Sequence, residues 1–364
     1  MNSTLPKWAD IILIPLLNLA LALLIAGLVV VFIGEDPLRA LQLIIQGAFA
    51  PWGIGFTLYY TTNFIFTGLA VAVAFHARLF NIGGEGQAAI AGVGVALVCL
   101  AFDWPHWSIA LLAAMLGGML FGAGWAAIPA YLQAKRGSHI VITTIMFNLI
   151  AASLINFLLV GPMQAPGMAP ESSSFPAGAS LPTLHDMLAV IGVAFDKNAP
   201  VNVSLFIALA ACVLVWLLVW KSRLGFELRA LGHSEKAAVY AGISPLRITM
   251  IAMLISGALA GLLAINTVMG EAERLVLDAV QGAGFVGIAV ALMGRNHPLG
   301  VLLAAFLFGI LYQGGSELAF EMPGISREMI VVIQGLVIMF TGSLENLVRM
   351  PVTRLFTRLK RRPI

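Results

Sequence analysis

Along this chain apolar residues exclude charged ones over long distances. Residues 11–34, 40–75, 88–102, 109–134, 140–160, 248–270 and 296–316 contain no Asp, Glu, Lys or Arg. About 20 mostly apolar residues are needed to cross a bilayer as a helix. Several of these runs have that length, and 40–75 has residues to spare for an additional short helix. A single such run could be the core helix of a soluble protein, but so many together could not. The pattern predicts ten crossings, at 11–33, 57–75, 88–102, 108–132, 140–160, 201–220, 248–269, 281–294, 299–316 and 328–344. The fold class read from it is an all-α polytopic integral membrane protein with about ten transmembrane helices.

Composition agrees. Of 364 residues 60% are hydrophobic and 10% charged, and the mean hydropathy is +0.98, far from the globular balance. MNSTLPKWAD carries little positive charge, and no small-residue cleavage site follows, so the first apolar run reads as a retained span. Cys99 and Cys212 fall inside apolar runs, so neither a disulfide nor a metal site is expected.

The placement of positive charge sets the sidedness. With the N-terminus inside, the cytoplasmic segments hold Lys7, Arg78, Lys135, Arg136, Lys221, Arg223, Arg229, Lys236, Arg247 and Arg295. The 349–364 tail adds Arg349, Arg354, Arg358, Lys360, Arg361 and Arg362. That makes 16 of the 20 basic residues, against Arg39, Lys197, Arg274 and Arg327 outside. Cytoplasmic loops retain Lys and Arg, so both termini are placed in the cytoplasm. The basic residues follow membrane sidedness, and no nucleic-acid partner is expected.

Three features depart from a plain bundle. The 34–56 connection holds an amphipathic stretch suited to lying along the outer interface. Residues 161–200 are rich in Pro, Gly and Ser and read as an external loop within a single 1–364 transmembrane domain. The third and eighth crossings are short and dense in glycine, the pattern that points to a transport site near the midplane. AVAFHAR (72–78) and AVALMGR (289–295) also resemble each other, which suggests a two-halved fold with interrupted helices.

FNIGGEGQ (80–87) is the most distinctive stretch. Its glycines let the backbone turn, and unpaired backbone at membrane depth is tolerated only in a protein interior or facing a polar cavity. Asn81, Glu85 and Gln87 could satisfy the freed groups. Buried, Glu85 would need a partner, with Arg78 and His76 as nearby candidates; otherwise the stretch is a cytoplasmic turn with a solvated carboxylate. Thr144, Asn148, Ser153 and Asn156 form a polar stripe on 140–160. Tyr59, Tyr60, Thr61, Thr62, Asn63 and Thr67 crowd 57–67, and Ser256, Asn266 and Thr267 add to 248–269. These residues suit either interhelical glue or the lining of a path for a neutral, hydroxyl-rich solute. Asn81, Glu85, Gln87, Asn63, Thr144 and Asn148 are the pathway candidates. The small-xxx-small runs GMLFG (118–122) and GALAG (257–261) suit close helix packing.

The loop 221–247 carries five basic and two acidic residues. Within it SEKAAVYAG predicts a short helix capped by Ser234, with Ala237, Ala238 and Ala241 on a small face, Gly242 at its end and Pro245 beyond. Such a helix suits docking into a groove of another protein. No Gly-Lys dipeptide occurs, so the chain has no P-loop. No zinc motif or nucleophile triad is present either, and no catalytic residue, metal or cofactor is assigned.

FNIGGEGQ, with the preceding TGLAVAVAFHARL, resembles the signature of permease subunits of bacterial ABC importers. WAAIPAYLQAKRG (125–137), ITTIMFNLIAASLINFLLVGP (142–162) and RALGHSEKAAVYAGISPLRI (229–248) extend the resemblance over nearly the whole chain, toward the nucleoside and simple-sugar branch. Relatives commonly carry Asn-Glu after the KRG turn where this chain has His139 and Ile140, so no polar role passes to position 140. The resemblance implies that His233, Ser234, Glu235, Lys236, Ala237, Ala238, Tyr240, Ala241 and Gly242 form a coupling helix seated in a separate ATPase subunit that uses the ATP. It also implies a second permease subunit, the same or different, an external binding protein, and a place in the bacterial inner membrane. The expected solute is a nucleoside, with a simple sugar as the alternative. A secondary transporter would use Glu85 as its embedded carboxylate but leaves the docking loop unexplained. An intramembrane enzyme would need convergent catalytic groups.

Overall fold

The computed structural model describes residues 6, 9, 13–325, 327–340 and 345–360. Lys7, Arg361, Arg362 and the ends of the first and tenth expected crossings (residues 11–12 and 341–344) lie outside the described residues. The helices run in order α1 (Ile14–Ile33), α2 (Pro37–Phe49), α3 (Gly53–His76), α4 (Gly84–Ala101), α5 (Trp107–Arg136), α6 (Ile140–Val160), α7 (Leu184–Ala189), α8 (Ser204–Trp216), α9 (Arg223–His233), α10 (Glu235–Tyr240), α11 (Pro245–Gly261), α12 (Ala283–Met293), α13 (Pro298–Glu321), α14 (Arg327–Ile338) and α15 (Glu345–Lys360). Among the described residues strand-like pairing is confined to isolated bridges, Glu171 to Val276 and Thr183 to Asn202. The chain is an all-α polytopic membrane protein. Eight of the described helical stretches are long and apolar enough to cross a membrane, with α8 continued by the π-helical Leu217–Lys221 and α11 continued by the π-helical Ile265–Glu271. The eighth and tenth expected crossings are shorter, α12 with 11 residues and α14 with 12. At about 1.5 Å per residue α12 reaches only about half the hydrocarbon thickness.

Two compact units form, residues 1–49 with 310–364, and residues 50–309. In the smaller unit Ala26, Val30, Ala40, Leu318, Met322, Ile325, Ile330 and Ile333 make one apolar cluster. The amphipathic stretch expected within 34–56 is α2. Its apolar stripe, Leu38, Leu41, Ile45 and Phe49, is exposed, as suits a helix facing lipid.

In the larger unit the helices approach through glycine. GMLFG on α5 and GALAG on α11 pack against each other, as their spacing predicts. A Cβ on Gly257 would lie 2.4 Å from the carbonyl oxygen of Gly122, and one on Gly261 would lie 2.4 Å from that of Gly118. Gly94 of α4 meets Gly117 of α5 equally closely, a Cβ there falling 2.7 Å from the Gly117 oxygen. Without side chains at these crossings, dispersion between backbones supplies the association that lipid cannot drive hydrophobically. Cys99 and Cys212 are buried and unbonded.

The faint sequence repeat corresponds to repeated geometry. α3 closes with Arg78 at φ 58°, its N–H donating to Phe75 O and that of Leu79 to Ala74 O. α12 closes with Arg295 at φ 52°, its N–H donating to Leu292 O and that of Asn296 to Ala291 O. AVAFHAR and AVALMGR thus end their helices with the same two bonds and a left-handed arginine. The 161–200 segment is ordered against residues 273–276. Ser172 N–H donates to Leu275 O, Leu275 N–H to Ser172 Oγ, and Phe175 N–H to Glu273 O, each at 2.8–2.9 Å. Arg274 pairs with Glu171 at 2.8 Å.

Candidate translocation site and coupling segment

The two glycine-dense crossings are broken helices whose N-termini meet. α12 runs alongside α3 in the same direction: Gly287 packs on Thr67, Val290 on Gly68, and Asn296 O lies 3.0 Å from His76 Nε2. Gly284, one turn before Gly287, is therefore level with the middle of the 24-residue α3. At that level α4 starts. A Cβ on Gly284 would fall 2.2 Å from Glu85 N, so only glycine lets the two backbones touch.

Glu85 fills the junction. Its Oε1 accepts from Gly282 N–H at 2.9 Å and its Oε2 from Gly284 N–H at 2.8 Å. The first N–H groups of a helix lack intrahelical partners and carry the positive end of its dipole. A carboxylate there makes charge-assisted bonds while its own desolvation is compensated. The sequence offered Arg78 and His76 as partners. Glu85 is instead paired with backbone almost 200 positions away, while His76 is engaged by Asn296 and packs edge-on to Trp220 with ring centroids 5.1 Å apart.

Asn81, Gln87, Thr144 and Asn148 gather around the same helix start. Asn81 Nδ2 donates to Gln87 Oε1 (2.9 Å) and to Ser256 Oγ (2.8 Å), and Asn81 Oδ1 accepts from Gly83 N–H and Gln87 Nε2. Asn148 Oδ1 accepts from Gly86 N–H and its Nδ2 donates to Ile82 O, both at 2.9 Å. Thr144 is buried and donates to its own helix at Ile140 O. These side chains replace the helical partners that the break removes. Ser153 and Asn156, further along the same predicted stripe, are exposed.

A cavity of about 260 Å³ opens beside the junction. Glu85, Gly86 and Ala89 of α4 and Asn148, Ala152 and Ile155 of α6 form one wall, and residues 275–280 form the other. No basic side chain lines it. Its polar groups are two carboxylates and an amide, and the Glu85 carboxylate is already held by α12.

Asn63 lies in a second network, toward the Gly53 end of α3. Asn266 is fully buried; its Nδ2 donates to Asn63 Oδ1 (2.8 Å) and Tyr59 O (3.1 Å), and its Oδ1 accepts from Asn202 Nδ2 (3.0 Å) and Ser204 Oγ (2.7 Å). Tyr59 OH donates to Glu271. Interhelical bonds in membranes average about 0.6 kcal/mol each, so Asn266→Ala is expected to lose about 2 kcal/mol. The check is the unfolding midpoint in a denaturing-detergent titration, which should fall without loss of the solute preference.

At the His76 end of α3, α9 and α10 rest on the close of that helix. A Cβ on Gly232 would lie 2.1 Å from His76 O. Ser234 caps α10 by accepting from Ala237 N–H at 3.3 Å, and Gly242 ends it at φ 78°. The small face drawn from the sequence divides. Ala238 is 2% exposed and packs with Ala74, Ala77, Leu79, Ala130 and Ile248, so bulk there would disturb the chain's own core. Ala237, Ala241 and Gly242 are exposed, as are His233, Ser234, Glu235 and Lys236. Tyr240 is 97% exposed and Val239 53%. Val239 had no place in the docking face read from the sequence. A six-residue helix offers too few turns for periodicity to say which alanine faces in.

The family model described as "Branched-chain amino acid transport system / permease component" matches residues 53–342. The guanosine ABC transporter permease protein of Bacillus subtilis is 35% identical over 91% of this chain and 93% of its own length. A nucleoside ABC transporter permease protein of Lactococcus lactis is 32% identical over 90% of each chain, and a glucose ABC transporter permease protein of Haloferax volcanii is 34% identical over 94% of this chain and 90% of its own. No solved structure gives a significant match.

Proposed function

Because the chain belongs to the permease-component family of branched-chain amino acid transport systems, we propose that it carries a nucleoside across the bacterial cytoplasmic membrane. It is an ABC transporter permease subunit and not an enzyme; ATP is hydrolysed on separate ATPase subunits. The observation that carries the nucleoside reading is near-full-length similarity to a guanosine and a nucleoside permease. The chemistry of the cavity supports it. A site without a basic side chain, whose one deep carboxylate is already held, suits a neutral solute with an apolar ring and hydroxyls, and disfavours an anion. Glu85 and Asn148 line that path, Asn81, Gln87 and Thr144 hold the helix start beside it, and Asn63 stands toward its other end. A substrate-binding protein delivers the solute from outside, a second permease subunit completes the path, and residues 233–242 seat in the ATPase.

The similarity to a glucose permease favours a simple sugar as the second reading. Reconstituted with its ATPase, partner permease and binding protein, the chain is expected to take up labelled guanosine or uridine. Other nucleosides should compete, and glucose, ribose and allose should not. Uptake competed by a hexose and indifferent to nucleosides would replace the first reading with the second.

A further inference from the structure

Residues 273–282 carry the cavity wall that residues 275–280 form, and they are held near both ends. At one end Ser172 and Glu171 hold Leu275 and Arg274; at the other Glu85 holds Gly282 and Gly284. Glu273, beside the first restraint, and Asp278 and Gln281, between the two, sit at φ 50°, 55° and 50°. Left-handed backbone at non-glycine residues carries a steric cost and persists only where the surroundings impose it. Half of the six such residues in the described chain fall in this one segment. Glu85 is thus the inner restraint on a strained strip of backbone that lines the cavity. Only five residues, 79–83, separate α4 from the left-handed turn on which α9 and α10 rest.

We propose that residues 273–282 are the movable wall of the solute cavity and that Glu85 is the positioning residue that clasps it shut. Displacement of α9 and α10 shifts residues 77–83, withdraws Glu85 from the start of α12 and lets the strained strip relax away from α4 and α6. The inference rests on the transport reading for its purpose, not on which solute is carried.

The test is thiol labelling of Val280→Cys in the assembled transporter, in proteoliposomes, with a membrane-permeant maleimide. Val280 lines the cavity and is 5% exposed, so it should label slowly without nucleotide, and buried Cys99 and Cys212 keep the background low. Glu85→Gln keeps the shape but turns one acceptor into a donor facing an N–H. It is expected to raise the labelling rate about tenfold, the shift that loss of one charge-assisted hydrogen bond predicts. The rate should approach the one that the chain with Glu85 intact shows with ATP and vanadate. Asn266→Ala, which loosens the fold elsewhere, should leave the rate unchanged. Equal rates with and without the Glu85→Gln substitution would overturn the proposal. So would an equal rise in Asn266→Ala, which would make Glu85 one stabilising contact among many. A sugar in place of a nucleoside would leave all three labelling results as stated, so failure of the solute reading is separately visible.

Discussion

Gly257→Leu is expected to abolish assembly of the chain. Its Cβ would fall 2.4 Å from Gly122 O and 2.6 Å from Ala126 Cβ, and the nearer obstruction is backbone that no rotamer change can move. Overpacked cores usually lose about 1–3 kcal/mol because side chains give way; here α5 and α11 must part, and the loss should exceed that range. Parting them would also undo the reciprocal Gly118–Gly261 contact and leave no hydrophobic drive to restore it in lipid. Size-exclusion chromatography of a fluorescent fusion should show no monodisperse peak. Gly124→Leu makes the same chemical change on α5, where nothing lies within 4 Å of an added Cβ, and should keep the wild-type yield. A normal peak for Gly257→Leu would mean that the two helices do not cross at these glycines.

The second large effect is expected at Tyr240. A fully exposed aromatic beside a half-exposed valine on a six-residue helix has no packing role within this chain. Buried aromatic anchors of interfaces are worth about 2 kcal/mol or more, roughly thirtyfold in affinity. Tyr240→Asp adds the desolvation of a charge to that loss. Co-purification of the ATPase and ATP-driven uptake should both drop by at least about thirtyfold, while expression and unfolding midpoint stay at wild-type values. Uptake unchanged in this variant would remove the proposed docking role from residues 233–242.

Much of the architecture was readable from residues alone, because lipid forbids charge over the length of a crossing. The crossings, the amphipathic α2, the glycine crossing of α5 and α11 and the matched ends of α3 and α12 each have a side-chain signature. The junction at Glu85 has none on one of its sides. Its partners are peptide N–H groups of Gly282 and Gly284, identical in kind to every other peptide group and distant in the chain, so reasoning by charge turned to Arg78 and His76. The orientation of Ala238 was illegible for the same reason as any residue in a helix shorter than two turns. The pinning of residues 161–200 to 273–276 uses peptide groups of both segments together with Ser172 Oγ and the Arg274–Glu171 pair, partners distant in the chain that a Pro- and Ser-rich composition does not announce.

That pinning joins two environments through one peptide. Leu275 O accepts from Ser172 N–H of the 161–200 segment, Leu275 N–H donates to Ser172 Oγ, and Leu275 itself belongs to the cavity wall. A displacement of residues 171–175 would therefore reach the cavity wall through the bonds to Leu275 itself. The 161–200 segment and the chamber share that residue as a common anchor.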